Sequence, residues 1–405
     1  MNENIKVIKG GICTVSSVKA GGIRDGKYGV CIISFPKSMS TGVFTTNKII
    51  AAPVKHTKNI MENNALSAIV ANSGNANCFT GTQGQEDCKE IVETVSNKLD
   101  INKWETAIAS TGVIGRKMPM DIINKLIDEI KLENSDEAST KSAKAIMTTD
   151  TVHKEYAVEI RLNNGDKVKI GGICKGTGMI APNMATMLCF ITTDAKIKDK
   201  NLLKQSLKKA ADKSFNMVVV DGDESTNDEL LLITTGEVDV TEDEGLDHNF
   251  QEGLEYLCIQ LAKMMAADGE GATKFLEVEV NGTKTHGDAE IIAKSIVSSP
   301  LVKSAIFGCD PNWGRIIAAV GYSGIDIDTD NISIAISNNE EKVDLVENSQ
   351  ILAFEGTKYL KKAEKIMKNK EIKIFVELYL GSETATAFGC DLTCEYVKIN
   401  AEYTT

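Results

Sequence analysis

Apolar residues recur at helical spacing in three stretches of the chain. Cys88, Ile91, Val92, Val95 and Leu99 form one stripe, Met120, Ile123, Leu126, Ile127 and Ile130 a second, and Phe250, Leu254, Leu257, Cys258, Leu261 and Met265 a third. Each predicts a helix with one face on the core. Six other stretches are rich in β-branched residues and often alternate, which predicts strands. They are YAVEIRL (156–162), KVKIGGI (167–173), MLCFITT (187–193), LEVEV (276–280), ISIAI (332–336) and IKIFVELYL (372–380). Strands arrive in adjacent groups as well as alternating with helices. The expected class is therefore mixed α/β, with layered sheets flanked by helices rather than a strict doubly wound sheet. No repeat of about 20 to 50 residues and no Pro- or Ser-rich linker marks a domain boundary. The polar segment 132–145 and the acidic segment 242–247 read as surface loops or hinges.

Composition narrows the class without naming an activity. At 405 residues, 42% hydrophobic and 25% charged, the chain has material for two or three domains and none of the signs of disorder. A formal charge of −12 argues against a general nucleic-acid binder, which needs clustered Lys and Arg, and leaves room only for a local basic pocket. The N-terminal MNENIKVIKGG lacks the apolar run of a secretory signal, and no stretch approaches the roughly 18 apolar residues of a membrane span. A cytoplasmic protein without membrane association is expected. The ten cysteines are scattered with no CxxC pair, Cys390 and Cys394 being nearest, so reduced core thiols are expected rather than disulfides. The four histidines, His56, His153, His248 and His286, are far apart, and no metal site is expected. The stretch DGDESTND (221–228) lacks the Gly and the closing Glu of a calcium loop.

Chemistry concentrates in KGTGMIAPNMATMLCFITTDA (175–195). Its glycines are in the wrong order for a P-loop and precede a strand rather than a helix, so no nucleotide cofactor is expected there. Thr186 follows the small residue Ala185 at the junction of this loop and a strand. As an internal residue it reads most simply as the start of a buried strand. As the first residue of a self-cleaved chain it would be a nucleophile, with its own α-amine, pKa about 7.7–8.0, as the base. Cleavage would require the Thr186 hydroxyl to attack the Ala185 carbonyl and donors to hold the oxyanion; Thr111 and Gly112 in ASTGVIG are candidates. Residue types leave both readings open.

Further polar, glycine-rich stretches fit loops that carry function: ANSGNANCFTG (71–81), MTTDT (147–151), VVVDGDESTND (218–228), DGEGATK (268–274) and GCDPNWGR (308–315). Together with TGVFTTN and AAPV (41–53), STGVIG, KGTGMIAPNMATML and the terminal INAEYTT, they make the chain resemble the ornithine acetyltransferase family, also called glutamate N-acetyltransferase, over nearly its whole length.

That resemblance implies a fold shared with a self-processing aminopeptidase family, and cleavage before Thr186. The products would be an α chain, 1–185, and a β chain, 186–405, assembled as a heterotetramer of two of each. It implies acetyl transfer from N2-acetylornithine to L-glutamate through an acetyl-Thr186 intermediate, with no cofactor; some members also accept acetyl-CoA, and no residue here decides that. By resemblance, Thr111 and Gly112 are the oxyanion pair. Substrate contacts are Thr149, with Thr148 and Thr151 as neighbours that leave the choice open, Lys175, Thr186, Glu270, Asn400 and Thr405.

Overall fold

The computed structural model describes residues 2–181, 187–242 and 245–402. The chain forms two compact units, one of Met1–Gly176, Asn183–Phe215 and Glu224–Leu261, the other of Thr177–Pro182, Asn216–Asp223 and Ala262–Thr405. Neither unit follows the 185/186 junction, because segments from both sides of it build the first.

The first unit is organised on strands β1 (Ile5–Ile8), β2 (Lys19–Asp25), β3 (Tyr28–Phe44), β4 (Leu66–Asn75), β5 (Thr106–Val113), β6 (Lys154–Arg161), β7 (Lys167–Lys175) and β8 (Leu188–Lys196), together with the strand Glu229–Asp239. Their order is β1-β6-β7-β8, then Glu229–Asp239, then β3-β4-β5, with β2 also on β3. Pairing is antiparallel except between β8 and Glu229–Asp239 and between β4 and β5, which are parallel. The long β3 serves two groups of neighbours. Gly29 to Ser34 pair with β2 and β4, whereas Met39 to Phe44 pair with Glu229–Asp239. Its register with β4 shifts between Ser34 and Ser38, around Pro36, a residue with no N–H for a ladder.

Alternation along β3 assigns its two faces. Val30 and Ile32 join Val70 and Ile108 in a cluster with Cys88, Ile91, Val92 and Val95 of helix α2 (Gly81–Leu99) and Ile123, Leu126 and Ile127 of α3 (Met120–Glu129); α1 (Ala52–Asn63) precedes them in the chain. Two of the three helical stripes are thus core faces, as their spacing predicts. Cys31 and Ile33 point to the opposite face, into a cluster with Ile173, Phe190, Leu231 and Ile233. With both faces covered, strands such as CIIS read as continuous apolar runs rather than alternating ones.

On that second face the structure corrects the expectation of a loop over 132–145, since Asp136–Ala145 is helix α4. Ser135 caps it, accepting a hydrogen bond from the Ala138 N–H, with Asp136 and Glu137 in the first turn and Lys144 in the last. Its buried face is Ala138, Ser139, Ser142, Ala143 and Ala145, which a search for large apolar side chains passes over. Small residues are required on both sides of the contact. A Cβ on Gly22 of β2 would stand 2.5 Å from the Lys141 carbonyl oxygen and 2.8 Å from the Ala145 Cβ. In the acidic segment, Thr241–Glu242 and Gly245–Leu246 pair as a short antiparallel ribbon. Helices α5 (Lys200–Asp212) and α6 (His248–Ala267) follow, α6 carrying the third predicted stripe.

The second unit has a seven-stranded sheet in the order Gln350–Ile351, Lys342–Glu347, Ser333–Ser337, Glu371–Glu377, Phe275–Thr283, Glu383–Cys390, Val218–Val219. The strand Phe275–Thr283 alternates cleanly. Leu276, Val278 and Val280 are buried, while Glu277 and Glu279 point away and both pair with Lys373. Helices α7 (His286–Ser298), α8 (Pro300–Phe307), α9 (Trp313–Gly321), α10 (Lys358–Ile366) and α11 (Cys394–Glu402) complete it. The strand expected over 372–380 ends at Glu377, beyond which Tyr379 takes a left-handed φ of 54°.

All ten cysteines are free, eight of them buried. Among the described residues no helix is long and apolar enough to cross a membrane, and no group of three or more His, Cys, Asp or Glu could hold a metal ion.

The tight contact of α4 with β2 generates a prediction. Gly22→Ala should destabilise the protein by about 1–3 kcal/mol, the usual effect of overpacking against backbone that cannot yield. Thermal unfolding would show it as a lowered midpoint, and an unchanged midpoint would mean that the helix moves away freely.

Candidate functional site

Two of the predicted strands, β7 and β8, flank the loop that carries the candidate nucleophile. Lys175 closes β7 and pairs in register with Leu188 of β8. Ala185 and Thr186 lie outside the described residues, as does Thr405. The residue that follows the junction is firmly placed. The Met187 N–H donates to Asp228 Oδ1 at 2.9 Å, and the Met187 carbonyl accepts from the Glu229 N–H at 3.1 Å.

Thr111 and Gly112 lie near the end of β5. Gly112 has a φ of 132°, and a Cβ there would come within 2.4 Å of the Gly74 carbonyl carbon and 2.5 Å of the Asn75 nitrogen. No side chain fits, so the glycine is set by the close approach of β4 as well as by its dihedral. Thr111 is buried, and its hydroxyl accepts a hydrogen bond from Lys175 Nζ at 3.3 Å. The structure brings these two predicted residues together, 64 positions apart in the chain.

Lys175 is only 2% exposed and is not a surface lysine. A buried ammonium needs opposite charge nearby, and the counter-charge comes from a residue that sequence reasoning missed. Asp150, in MTTDT, pairs with Lys154 Nζ at 2.7 Å with both side chains fully buried, and its Oδ1 also accepts from the Gly176 N–H at 2.9 Å. Its Oδ2 accepts from the Thr148 N–H at 3.0 Å. Burial alone would push the Asp150 carboxyl up, but the charges of Lys175 and Lys154 and these hydrogen bonds hold it down at about 2. Asp150 is thus an anion that fixes the backbone on the far side of Lys175. Thr148 and Thr149 beside it are half-buried, and Thr151 is exposed.

The charge of the same lysine also reaches Asp228. Burial drives its carboxyl well above the ordinary range, against the opposing pull of the Met187 N–H, the Ser225 hydroxyl and the Lys175 charge. The same lysine charge thus acts on two aspartates whose surroundings shift them in opposite directions, Asp150 down and Asp228 up. The only sequence signal for either was membership of a polar, glycine-rich or threonine-rich stretch.

The second unit carries Glu270 and Asn400, which the structure also brings together. Asn400 Nδ2 donates to Glu270 Oε2 at 2.8 Å. The Glu270 N–H donates to the Thr177 carbonyl at 2.8 Å, and a Cβ on Gly178 would strike the Glu270 carboxylate at 2.4 Å. Gly178 is therefore a glycine because the glutamate lies against its Cα. The C-terminal helix α11 is docked rather than frayed. Thr393 Oγ1 donates to the Gly271 carbonyl at 2.7 Å, Gly271 approaches so closely that a Cβ would meet the Tyr396 nitrogen at 2.6 Å, and the Tyr396 hydroxyl donates to Asp221 at 3.3 Å. Asp221 in turn accepts from the Met179 and Ile180 N–H groups at 2.7 and 2.9 Å. These contacts tie DGEGATK, the start of the MIAP segment and the tail into one polar assembly within this unit.

The sequence also matches known proteins over its full length. It is 52% identical over 403 residues to the glutamate N-acetyltransferase of Methanothermobacter thermautotrophicus, covering 99% of each chain. To the glutamate N-acetyltransferase of Methanocaldococcus jannaschii it is 52% identical over 409 residues, covering 99% of this chain and 100% of that one. A solved chain of the arginine biosynthesis bifunctional protein argJ from Bacillus halodurans shares 41% identity, with 52% of this chain and 96% of that chain covered and a TM-score of 0.47. The ArgJ family model matches residues 15–405, and the chain accordingly belongs to the ArgJ family.

Proposed function

We propose that this chain is a glutamate N-acetyltransferase that takes acetyl from N2-acetylornithine and passes it to L-glutamate, releasing ornithine and N-acetylglutamate. The observation that carries the reading is the contact of buried Lys175 with the Thr111 hydroxyl, in the unit where Met187, next to Thr186, is anchored on Asp228. It occurs in a chain 52% identical to proteins named glutamate N-acetyltransferase. Before transfer, the Ala185–Thr186 bond breaks in an autocatalytic step, giving chains 1–185 and 186–405, which associate as two copies of each. Thr186 then has a free α-amine to act as base.

In the first half-reaction Thr186 Oγ adds to the acetyl carbon of acetylornithine. The Thr111 hydroxyl and the Gly112 N–H receive the oxyanion, the C–N bond breaks, and ornithine leaves with the proton taken from Oγ. In the second, the α-amine of glutamate adds to the acetyl carbon of the ester, the C–Oγ bond breaks, and the proton lost by the amine returns to Oγ, restoring the Thr186 hydroxyl. Lys175 supplies a cation to the site. It sits close to the oxyanion donor Thr111, and a substrate α-carboxylate is the natural second partner. Glu270, held by Asn400, offers an anion to a substrate ammonium, with Thr149 and Thr405 completing the contacts. No nucleotide, metal or other cofactor enters any step.

Three measurements test this reading. Wild-type protein under denaturing conditions should give two masses that meet at Ala185–Thr186, while Thr186→Ala gives one; an uncut wild-type chain would remove the base from this mechanism. Incubated with N-acetylornithine and glutamate, the enzyme should form N-acetylglutamate in step with ornithine. Acetate as the main product would make it a hydrolase instead, and acetyl-CoA offered alone separates a bifunctional from a monofunctional enzyme. Lys175→Ala should raise the KM for acetylornithine at least ~10-fold, as loss of a charge-assisted contact does. Unaltered kinetics would exclude Lys175 from substrate binding.

A further inference from the structure

The motif GCDPNWGR (308–315) has no part in the chemistry above, and its cysteine stands in an unusual place. Helix α8 ends in a Schellman turn, in which the Cys309 N–H donates to the Ile306 carbonyl at 3.3 Å and the Asp310 N–H to the Ala305 carbonyl at 2.9 Å. The left-handed position of that turn is ordinarily a glycine. Here Gly308 stands one residue too early, with a φ of −73°, and Cys309 takes the left-handed φ of 56°. A side chain therefore stands where the backbone favours none.

That side chain meets a buried lysine. Lys274, the last residue of DGEGATK, is 9% exposed. Its Nζ donates to the Ile306 carbonyl at 2.9 Å, to the Met367 carbonyl at 2.5 Å and to Cys309 Sγ at 2.9 Å. Ile306 and Met367 lie at the C-terminal ends of α8 and α10, where a cation is favoured. A helix-capping role thus explains two of the three contacts. The third goes to a thiol, a weak acceptor, yet the one partner of the three that can be oxidised. Cys309 is half-buried, so a small oxidant reaches it. The other lysine–cysteine approach in this unit differs on each count. Lys303 Nζ lies 3.8 Å from Cys390 Sγ and donates to the Cys390 carbonyl instead, and Cys390 is buried, which pushes its thiol up and away from the reactive thiolate form.

We propose that Cys309 and Lys274 are an oxidative modification site, at which hydrogen peroxide drives a reversible covalent link between Sγ and Nζ. Peroxide gives one oxygen to Cys309 Sγ; the thiol is oxidised to a sulfenic acid, the O–O bond breaks and water leaves. Lys274 Nζ, having passed one ammonium proton to solvent, then bonds to Sγ. The S–O bond breaks, and the hydroxyl takes a second proton from Nζ and departs as water. Thiol and amine have each lost one hydrogen, and a neutral N–S link, a sulfenamide, remains. Two equivalents of an external thiol reverse it, restoring Cys309 and Lys274 and leaving as a disulfide. The link joins the end of the DGEGATK segment to the loop after α8 and takes the positive charge from both helix ends. It is independent of the acetyl-transfer chemistry, since neither residue enters any step of it.

The test treats the purified wild-type protein with hydrogen peroxide, blocks remaining thiols under denaturing conditions and maps tryptic peptides by mass. The peptide of residues 304–315, which contains Cys309, should appear joined to the chain through Lys274, with trypsin no longer cutting after that lysine and the mass two hydrogens below the sum of the parts. Dithiothreitol should release it and return Cys309 as a free thiol. Lys274→Arg keeps a cation for the two helix ends but offers no amine to condense. Its Cys309 should pass on to the sulfinic acid, which dithiothreitol does not reverse, so the recovery of thiol seen in the wild type should be lost. Exposed Cys394 reports that peroxide has acted and should never appear joined to Lys274. The proposal is overturned if Cys394 is oxidised while Cys309 stays a thiol, or if wild-type Cys309 reaches the sulfinic acid with Lys274 still open to trypsin. Equal thiol recovery in wild type and Lys274→Arg overturns it as well. The wild-type map decides by itself should Lys274→Arg fail to fold.

Discussion

The first unit is arranged around one buried ammonium. Lys175 is almost wholly out of water, and charge in that position is tolerated only where fixed polar groups replace hydration. Three separate parts of the chain supply them: the Thr111 hydroxyl from the end of β5, Asp150 from the segment before β6, and Asp228 from the start of the strand after β8. Because each sits at the end or beside the start of a strand, the sheet order brings them together. Asp150 is itself held by Lys154 and the Gly176 N–H, so the loop leaving Lys175 starts from a fixed point. The Met187 N–H fixes its other end on Asp228.

This arrangement separates two carboxyls by environment rather than by type. Asp150 has two lysines and backbone donors and is an anion at any pH the cell meets. Asp228 has one backbone donor, a hydroxyl and the Lys175 charge against complete burial, and burial wins, pushing its carboxyl well above the ordinary range. Pushing the states of two like groups apart is how a protein assigns a fixed charge to one and proton chemistry to the other.

Close backbone approach is the second recurring device. Gly22 admits α4 to the sheet, Gly112 lies against Gly74, Gly178 lies against the Glu270 carboxylate, and Gly271 lets α11 close on the DGEGATK loop. In the last three cases the glycine sits directly at a proposed functional residue or beside one. The glycine-rich motifs are therefore packing requirements of the site as much as turn signals, and a glycine count without the fold does not separate the two uses.

Large apolar residues at regular spacing made helices α2, α3 and α6 and the main strands legible, because burial of big side chains leaves a periodic trace. Helix α4 left none, since its buried face is alanine and serine. The motifs were legible too, and through them the family, Thr111, Gly112, Lys175, Glu270 and Asn400. Asp150, Lys154 and Asp228 were not, because a charged residue in a polar stretch looks the same whether water or another charge surrounds it. Sequence by itself determined which elements form and which residues are candidates for chemistry. Tertiary structure decided which of them are buried, which carboxyl is pushed up and which is held down, since desolvation and the distance to a counter-charge exist only once the chain has folded.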